Sequence, residues 1–195
     1  MPLLDVDRDL TRHSYYAATA PREASFPPLQ GEVTADVAVV GGGLAGLSAA
    51  IELHDRGFDV VLLEAQQVGW GASGRNGGQA IHGLACDQGV IEAQLGLDEA
   101  KRVWAMSIEA LDLIRQRIAR FGIDCDWRDG YLAVATSERK ARELKDGVER
   151  LERVYGYAQP YIARGELLRW LASPRYVAGA HDPRSGHLHP LKYSL

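Results

Sequence analysis

Cysteine is scarce: Cys86 and Cys125 are the only two, and they form neither a CxxC pair nor an even-numbered disulfide framework. That excludes a stapled secreted scaffold and points to reduced thiols in a cytoplasmic protein. Basic charge is not in excess. The formal net charge is -4 with Lys and Arg scattered, so nucleic acid is excluded as a partner. Long apolar runs are missing too: the uncharged stretch Val37 to Ile51 falls short of the roughly 20 residues a membrane-spanning helix needs, and it carries four glycines. The N-terminus lacks the basic start and continuous apolar core of a signal peptide. Internal repeats and low-complexity tracts are absent.

What is present suits a globular chain. At 195 residues, 46% hydrophobic and 25% charged, there is enough material for one large domain or parts of two. Residues 1–35, with their prolines and the Tyr15-Tyr16 pair, read as an irregular arm laid over the surface. Asp36 to Val40 is a β-branched run of strand length that ends at Gly41-Gly42-Gly43. Leu44 to Arg56 has helical spacing with Gly57 where a C′ residue belongs, and Asp59 to Leu63 is a second buried strand. Strand, tight turn, helix and strand form a βαβ unit. Further on, Leu97 to Phe121 carries an apolar stripe stopped by Gly122, and Ser137 N-caps a helix that reaches Tyr155 before Gly156. Arg128-Asp129-Gly130 reads as the tip of a short hairpin between 124–127 and 131–135. A short helix at Glu166 to Leu171, a strand at Tyr176 to Ala180, a turn over Asp182 to Gly186 and the start of a helix at Pro190 complete the pattern.

The turn itself carries the chemistry. Gly41-Gly42-Gly43-Leu44-Ala45-Gly46 fits G-x-G-x-x-G: Gly41 allows the tight turn, Gly43 lets backbone approach a pyrophosphate, and Gly46 permits close packing of helix on strand. The helix N-terminus presents free N–H groups and a partial positive charge to phosphates. Glu64 closes the second strand 18 residues after Gly46, where a carboxylate accepts hydrogen bonds from adenosine ribose hydroxyls and repels a 2′-phosphate. NADP is thereby disfavoured. The motif alone does not separate FAD from NAD; the stretch GWGASGRNGGQ, Gly69 to Gln79, does. Its glycines expose backbone N–H groups, and Ser73, Arg75, Asn76 and Gln79 add donors suited to phosphate and ring heteroatoms. An extended FAD needs such a second, backbone-lined contact.

With both motifs in hand, the chain resembles the D-amino-acid oxidase-like family of FAD-dependent oxidoreductases, which includes glycine and sarcosine oxidases. DVAVVGGGLAGLSAAIEL, DVVLLEAQQVGWGASGRNGGQ, SYYAATA and SGHLHPLKYSL are similar to its gamma-glutamylputrescine oxidase branch. The resemblance implies removal of a hydride equivalent from the carbon beside an amine, giving an imine, with oxygen as electron acceptor. It implies that Gly41, Gly43, Gly46 and Glu64 hold the ADP half of FAD, and that Ser73, Arg75, Asn76, Gly77, Gly78 and Gln79 line the pyrophosphate-to-flavin stretch. In that family the later strands of the FAD domain and the substrate-recognising residues follow beyond the matching region. The 195 residues are therefore expected to be an N-terminal portion, inactive by itself.

Other residues attract attention for weaker reasons. His82 lies three residues past Gln79 and could face substrate, although a core or surface histidine is the plainer reading. His181, Asp182, His187 and His189 suggest metal ligands without readable supporting contacts, so no metal site is assigned. Trp104 and Trp127 read as core, and neither cysteine has an activating neighbour.

The fold expected is an α/β chain mixed with α+β character: a Rossmann-like FAD-binding βαβ unit and the beginning of a substrate domain. Its parts are the arm 1–35, the first part of the FAD domain 36–90, a helical and hairpin part 91–180, and a return segment 181–195. The expected partner is a small-molecule amine, and the catalytic residues are not legible. An NAD-dependent dehydrogenase and a non-catalytic remnant are the competing functions.

Overall fold

The computed structural model describes residues 13–195. In chain order the elements are α1 (Tyr15–Thr19), β1 (Val37–Val40), α2 (Leu44–Asp55), β2 (Val60–Leu63), a 3-10 turn (Ala72–Gly74), β3 (Gln79–Ala80), α3 (Gln88–Leu95), α4 (Leu97–Phe121), β4 (Arg128–Ala135), α5 (Glu138–Tyr155), β5 (Tyr161–Ala163), α6 (Arg164–Leu167), β6 (Ala178–His187) and α7 (Pro190–Ser194). They fall into two compact units. The first holds the described residues through Gly78 together with 123–125 and 188–195; the second holds 79–122 and 126–187. Among the described residues no helix is long and apolar enough to cross a membrane.

In the first unit β1 and β2 pair in parallel from Val37↔Val60 to Val40↔Leu63, and α2 packs on both strands. This is the βαβ arrangement expected. The turn into α2 is tight enough that a Cβ at Gly46 would stand 1.9 Å from the Gly41 carbonyl oxygen. Beyond β2, the 3-10 turn packs on α7, and a Cβ at Gly74 would lie 2.2 Å from the Gly69 oxygen and 2.9 Å from Leu191 Cδ1. The glycines of this loop are used for close approach, which a slack linker would not require. The arm is not wholly irregular: α1 is held to the unit by Thr19 Oγ1 and His189 Nε2, 2.9 Å apart, and by an edge contact of Tyr16 with the His189 ring.

The second unit is built around β6. Antiparallel β4 runs along one side of it, while β3 pairs with its Gly186–His187 end and β5 with Ala178–Ala180. One face of this sheet packs under α5, where Ala135, Ala141 and Ala178 are buried with Leu144 against them. On α4 the buried residues Ala100, Trp104, Ser107 and Leu111 recur at helical spacing, and Gly122 ends the helix at φ +61. Each fully buried large apolar side chain on that stripe stabilises the unit by roughly 1.5–3 kcal/mol. Ser137 caps α5 by accepting from Lys140 N–H, and Gly156 closes it at φ +65.

Two expectations are corrected here. Asp129-Gly130 does take positive φ at Gly130, but as a bulge inside a continuous β4 and not as a hairpin tip. Both sides of the bulge pair with β6, Asp129 with Gly186 and Tyr131 with Asp182. Opposite it, residues 183–185 bulge from β6, so the residues read as a turn lie inside a ten-residue strand. The prolyl residue at 183 has no N–H to contribute and sits where the ladder does not need one. Helices α3 and α1 and the short strands β3 and β5 were not anticipated, and α6 starts earlier than the 166–171 reading. Residues 123–125 and 188–195 return to the first unit.

The glycine packing leads to a paired prediction. Gly46→Ala should lower stability by about 3 kcal/mol or more, at the upper end of overpacking costs, because the obstacle is backbone. Gly147→Ala, in α5 with nothing within 4 Å of its Cβ, should raise it by about 0.5–1 kcal/mol. Urea unfolding midpoints check both, and equal midpoints for the two variants would contradict the packing.

Candidate dinucleotide site

The first unit gathers its polar groups at the end of β1. Gly41 N–H donates to Leu63 O at 2.7 Å, which ties the glycine turn to the end of β2. Glu64, one residue further, is half-buried: its Oε2 accepts from Gly42 N–H at 2.6 Å and its Oε1 from Gln66 N–H at 2.8 Å. Ser73 Oγ accepts from Leu44 N–H at 2.9 Å, at the first turn of α2. A Cβ at Gly43 would come within 2.8 Å of that hydroxyl, so the opening of α2 is bare backbone by necessity. Gly69 N–H donates to Gly42 O at 2.9 Å and joins the glycine-rich loop to the turn. From the arm, Arg22 donates to Val68 O; burial lowers its pKa, partly offset by the charge of Glu64.

The structure thus brings Gly41, Gly43, Gly46, Glu64 and Ser73 together. Helix N–H groups for phosphate, a carboxylate for ribose hydroxyls and a turn without side chains fit the ADP half of a dinucleotide. Arg75 and Asn76, expected as side-chain donors to the cofactor, make contacts within the loop. Arg75 Nε donates to Trp70 O and Gly71 O at 3.2 and 3.3 Å. Asn76 Nδ2 donates to Ala72 O and Ser73 O, and its Oδ1 accepts from Gly78 N–H at 2.7 Å. Both brace the loop, because a glycine-rich segment has few other means of fixing its own carbonyls. Gly77 is exposed, Gly78 is buried against Leu188, and Gln79 is an exposed residue of β3, assigned to the second unit.

The second unit has a polar centre of its own that the sequence did not announce. Asp182 is 1% exposed. Its Oδ2 lies 2.7 Å from His82 Nδ1 and accepts from Ser185 Oγ at 2.5 Å. Tyr157 OH donates to Oδ1 at 2.8 Å and Arg184 N–H donates to the same oxygen at 3.0 Å. Burial pushes the Asp182 pKa up, but the hydrogen bonds from His82, Ser185, Tyr157 and Arg184 outweigh it and hold the group below the ordinary carboxylate range. Burial, then the bond to Asp182, raises the Tyr157 phenol above its usual value. Trp104 stands at the edge of this group, 5.3 Å from the His82 ring and 5.4 Å from that of Tyr157. Sequence reasoning met these residues singly, since His82 and Asp182 are a hundred positions apart and no local pattern joins them.

His82 is therefore anchored in a buried network, the plainer of its two readings. The four residues at 181–189 do not act together. His181 stacks on Trp170 at 4.7 Å, Asp182 serves the network, His187 is an exposed strand residue, and His189 caps α7 by accepting from Lys192 N–H at 3.2 Å. Among the described residues no three His, Cys, Asp or Glu side chains are grouped to hold a metal ion.

A glycine turn at a helix N-terminus with an acidic residue closing the next parallel strand is the arrangement of a dinucleotide-binding protein. The model of the family described as DAO, FAD dependent oxidoreductase, matches residues 36–195, and the chain belongs to that family. FAD is its cofactor. The chain is 44% identical over 189 residues to gamma-glutamylputrescine oxidoreductase of Escherichia coli, covering 95% of this chain and 44% of the relative. It is 43% identical to the probable oxidoreductase OrdL of Haemophilus influenzae, covering 93% of this chain and 42% of that one. Among solved structures it resembles an L-amino acid deaminase of Proteus vulgaris, with a TM-score of 0.68 and 24% identity over 90% of this chain and 45% of the other. It also resembles glycine oxidase of Bacillus cereus, with a TM-score of 0.59 and 21% identity over 83% and 42%. These structures establish the shared fold. The chain spans less than half the length of the curated relatives it matches.

The Asp182 network has a pH signature. A carboxylate whose folded pKa is depressed contributes stability that is fully present above its unfolded pKa, about 3.9, and is lost as pH falls through the folded value. Wild-type stability should therefore decline below about pH 4 through this group. Asp182→Asn should cost about 2–4 kcal/mol at pH 7 and flatten the acid decline. Urea midpoints at pH 7 and pH 3 read both effects, and an unchanged acid decline in the variant would contradict the assignment.

Proposed function

We propose that this chain supplies the ADP-binding part of an FAD-dependent enzyme that oxidises a C–N bond of a small amine or amino acid, gamma-glutamylputrescine-like, to an imine with oxygen as electron acceptor. The observation that carries the reading is the joining of Gly41–Gly46, Glu64 and Ser73 by backbone-directed hydrogen bonds within one unit. The identity to gamma-glutamylputrescine oxidoreductase supports the amine as substrate class. When bound, the flavin would supply the acceptor for the hydride equivalent removed from the carbon beside the amine.

The residues of this chain bind and orient. Glu64 accepts from ribose hydroxyls, for which its Oε atoms exchange the Gly42 and Gln66 N–H groups they hold now. The Gly42, Gly43 and Leu44 N–H groups and the Ser73 hydroxyl would hold the pyrophosphate. Arg75 and Asn76 keep the loop from Gly69 to Gly78 in shape, so that Gly77 and Gly78 would line the cofactor through backbone. The exposed Cys86 thiol suits a reducing, cytoplasmic setting.

Removing the Glu64 carboxylate should weaken FAD binding about tenfold or more, the equivalent of one charged hydrogen-bonding group; flavin fluorescence titration of Glu64→Ala measures it. In the natural flavin-loaded enzyme, a gamma-glutamylated primary amine should bleach the flavin without oxygen, and admission of oxygen should restore the colour with release of peroxide. Reduction by NADH with no response to any amine would overturn the reading in favour of a nicotinamide enzyme.

A further inference from the structure

Between α1 and β1 the chain forms no helix or strand. Of residues 21–34, Arg22 alone is not exposed. An arginine at that single point meets the unit through a directed bond and not through apolar packing. Its guanidinium donates from Nη1 to Val68 O, in the loop that follows β2.

The carbonyl it holds has a particular place. Val68 O and Gly69 N–H belong to one planar peptide group, and that group is held at both ends. Arg22 takes the carbonyl, while the N–H donates to Gly42 O in the glycine turn at 2.9 Å. A charged donor on the carbonyl polarises the peptide and strengthens its N–H as a donor on the far side. Rotation of the peptide would break both bonds. Gly69 itself sits at φ +65 and so close to α7 that a Cβ would stand 3.0 Å from Ser194 Cβ. The tie then runs inward, because Gly42 gives its own N–H to Glu64 Oε2 at 2.6 Å. The Arg22 charge lies within electrostatic reach of Glu64 and favours its ionised form, the one that accepts from ribose hydroxyls. Fastening the arm would need only some carbonyl of the unit. The one used belongs to the peptide that braces the turn.

We propose that Arg22 is a positioning residue of the dinucleotide turn: it clamps the Val68–Gly69 peptide onto Gly42 and so makes the N-terminal arm part of the cofactor site. The proposal rests on the adenosine diphosphate reading of that turn, and Arg22 acts through the peptide without touching the cofactor. Arg22→Met keeps the aliphatic stem and removes the donor, and Arg22→Lys restores a charged donor for the bond to Val68 O. In the natural enzyme stripped of flavin and titrated with FAD, Arg22→Met should bind about fivefold or more weakly than wild type, the loss of one hydrogen bond, and Arg22→Lys should recover binding to within about twofold. Amide exchange followed by NMR separates positioning from a general loss of stability. Without FAD, Arg22→Met should speed exchange at Gly69 and Gly42 and leave the amides of α2 as in wild type. A wild-type enzyme that does not bind FAD would overturn the adenosine diphosphate reading and this proposal with it. Tight FAD binding by wild type and equal binding by a folded Arg22→Met would overturn the clamp alone, as would unchanged exchange at Gly69 and Gly42. Arg22→Gln, which loses the charge, takes the place of Arg22→Met under the same outcomes if the methionine variant does not fold.

Discussion

Helix α2 approaches the end of β1 so closely that position 46 has no room for a single carbon beyond the backbone. Much of the first unit follows from this contact. It fixes the start of α2 at Leu44, directs the first N–H groups of the helix toward Ser73 and brings Gly42 N–H to the Glu64 carboxylate. It also decides which face of the turn stays bare. The loop from Gly69 onward is then fastened to the turn through Gly69 N–H and folded tightly at Gly74 against α7. A motif usually described by its glycines is here a chain of close backbone contacts, each of which excludes a side chain.

The second unit solves a different problem, that of a carboxylate at the centre of a sheet. Isolated burial of that charge would cost several kcal/mol, and four donors converge on Asp182 to offset it. The bulges at Gly130 and 183–185 make this geometry, since they turn β6 so that Asp182 and Ser185 both face inward. Tyr157, which enters the network right after the Gly156 cap of α5, carries the restraint from the helix into the sheet.

Elements with strong local signals were legible: β1, α2 and β2 from hydrophobic runs around the glycine turn, α4 and α5 from their stripes and caps. The hairpin read at 124–135, with its tip at 128–130, was a misreading because Asp-Gly reports a positive φ and not what the chain does next; whether it turns back or bulges depends on β6, a partner strand far along the chain. The same holds for 182–186, where turn-forming residues sit inside β6. The spacing of Gly41, Gly43, Gly46 and Glu64 led to the expectation that they share one turn, and the structure brings them together there. Arg75 and Asn76 were read as ligand donors, and the structure shows Arg75 Nε and Asn76 Nδ2 bonded to the loop's own carbonyls. The His82–Asp182 network was not legible at all, being made of contacts across a hundred residues.

Family membership explains why this architecture suits FAD, and the role proposed for the first unit is to hold the adenosine diphosphate half of the cofactor through Glu64 and the α2 N-terminus. Displacement titration tests it directly. Bound FAD, followed by its fluorescence, should be displaced by ADP and left in place by FMN, which lacks the adenosine. Displacement by FMN with indifference to ADP would contradict the account.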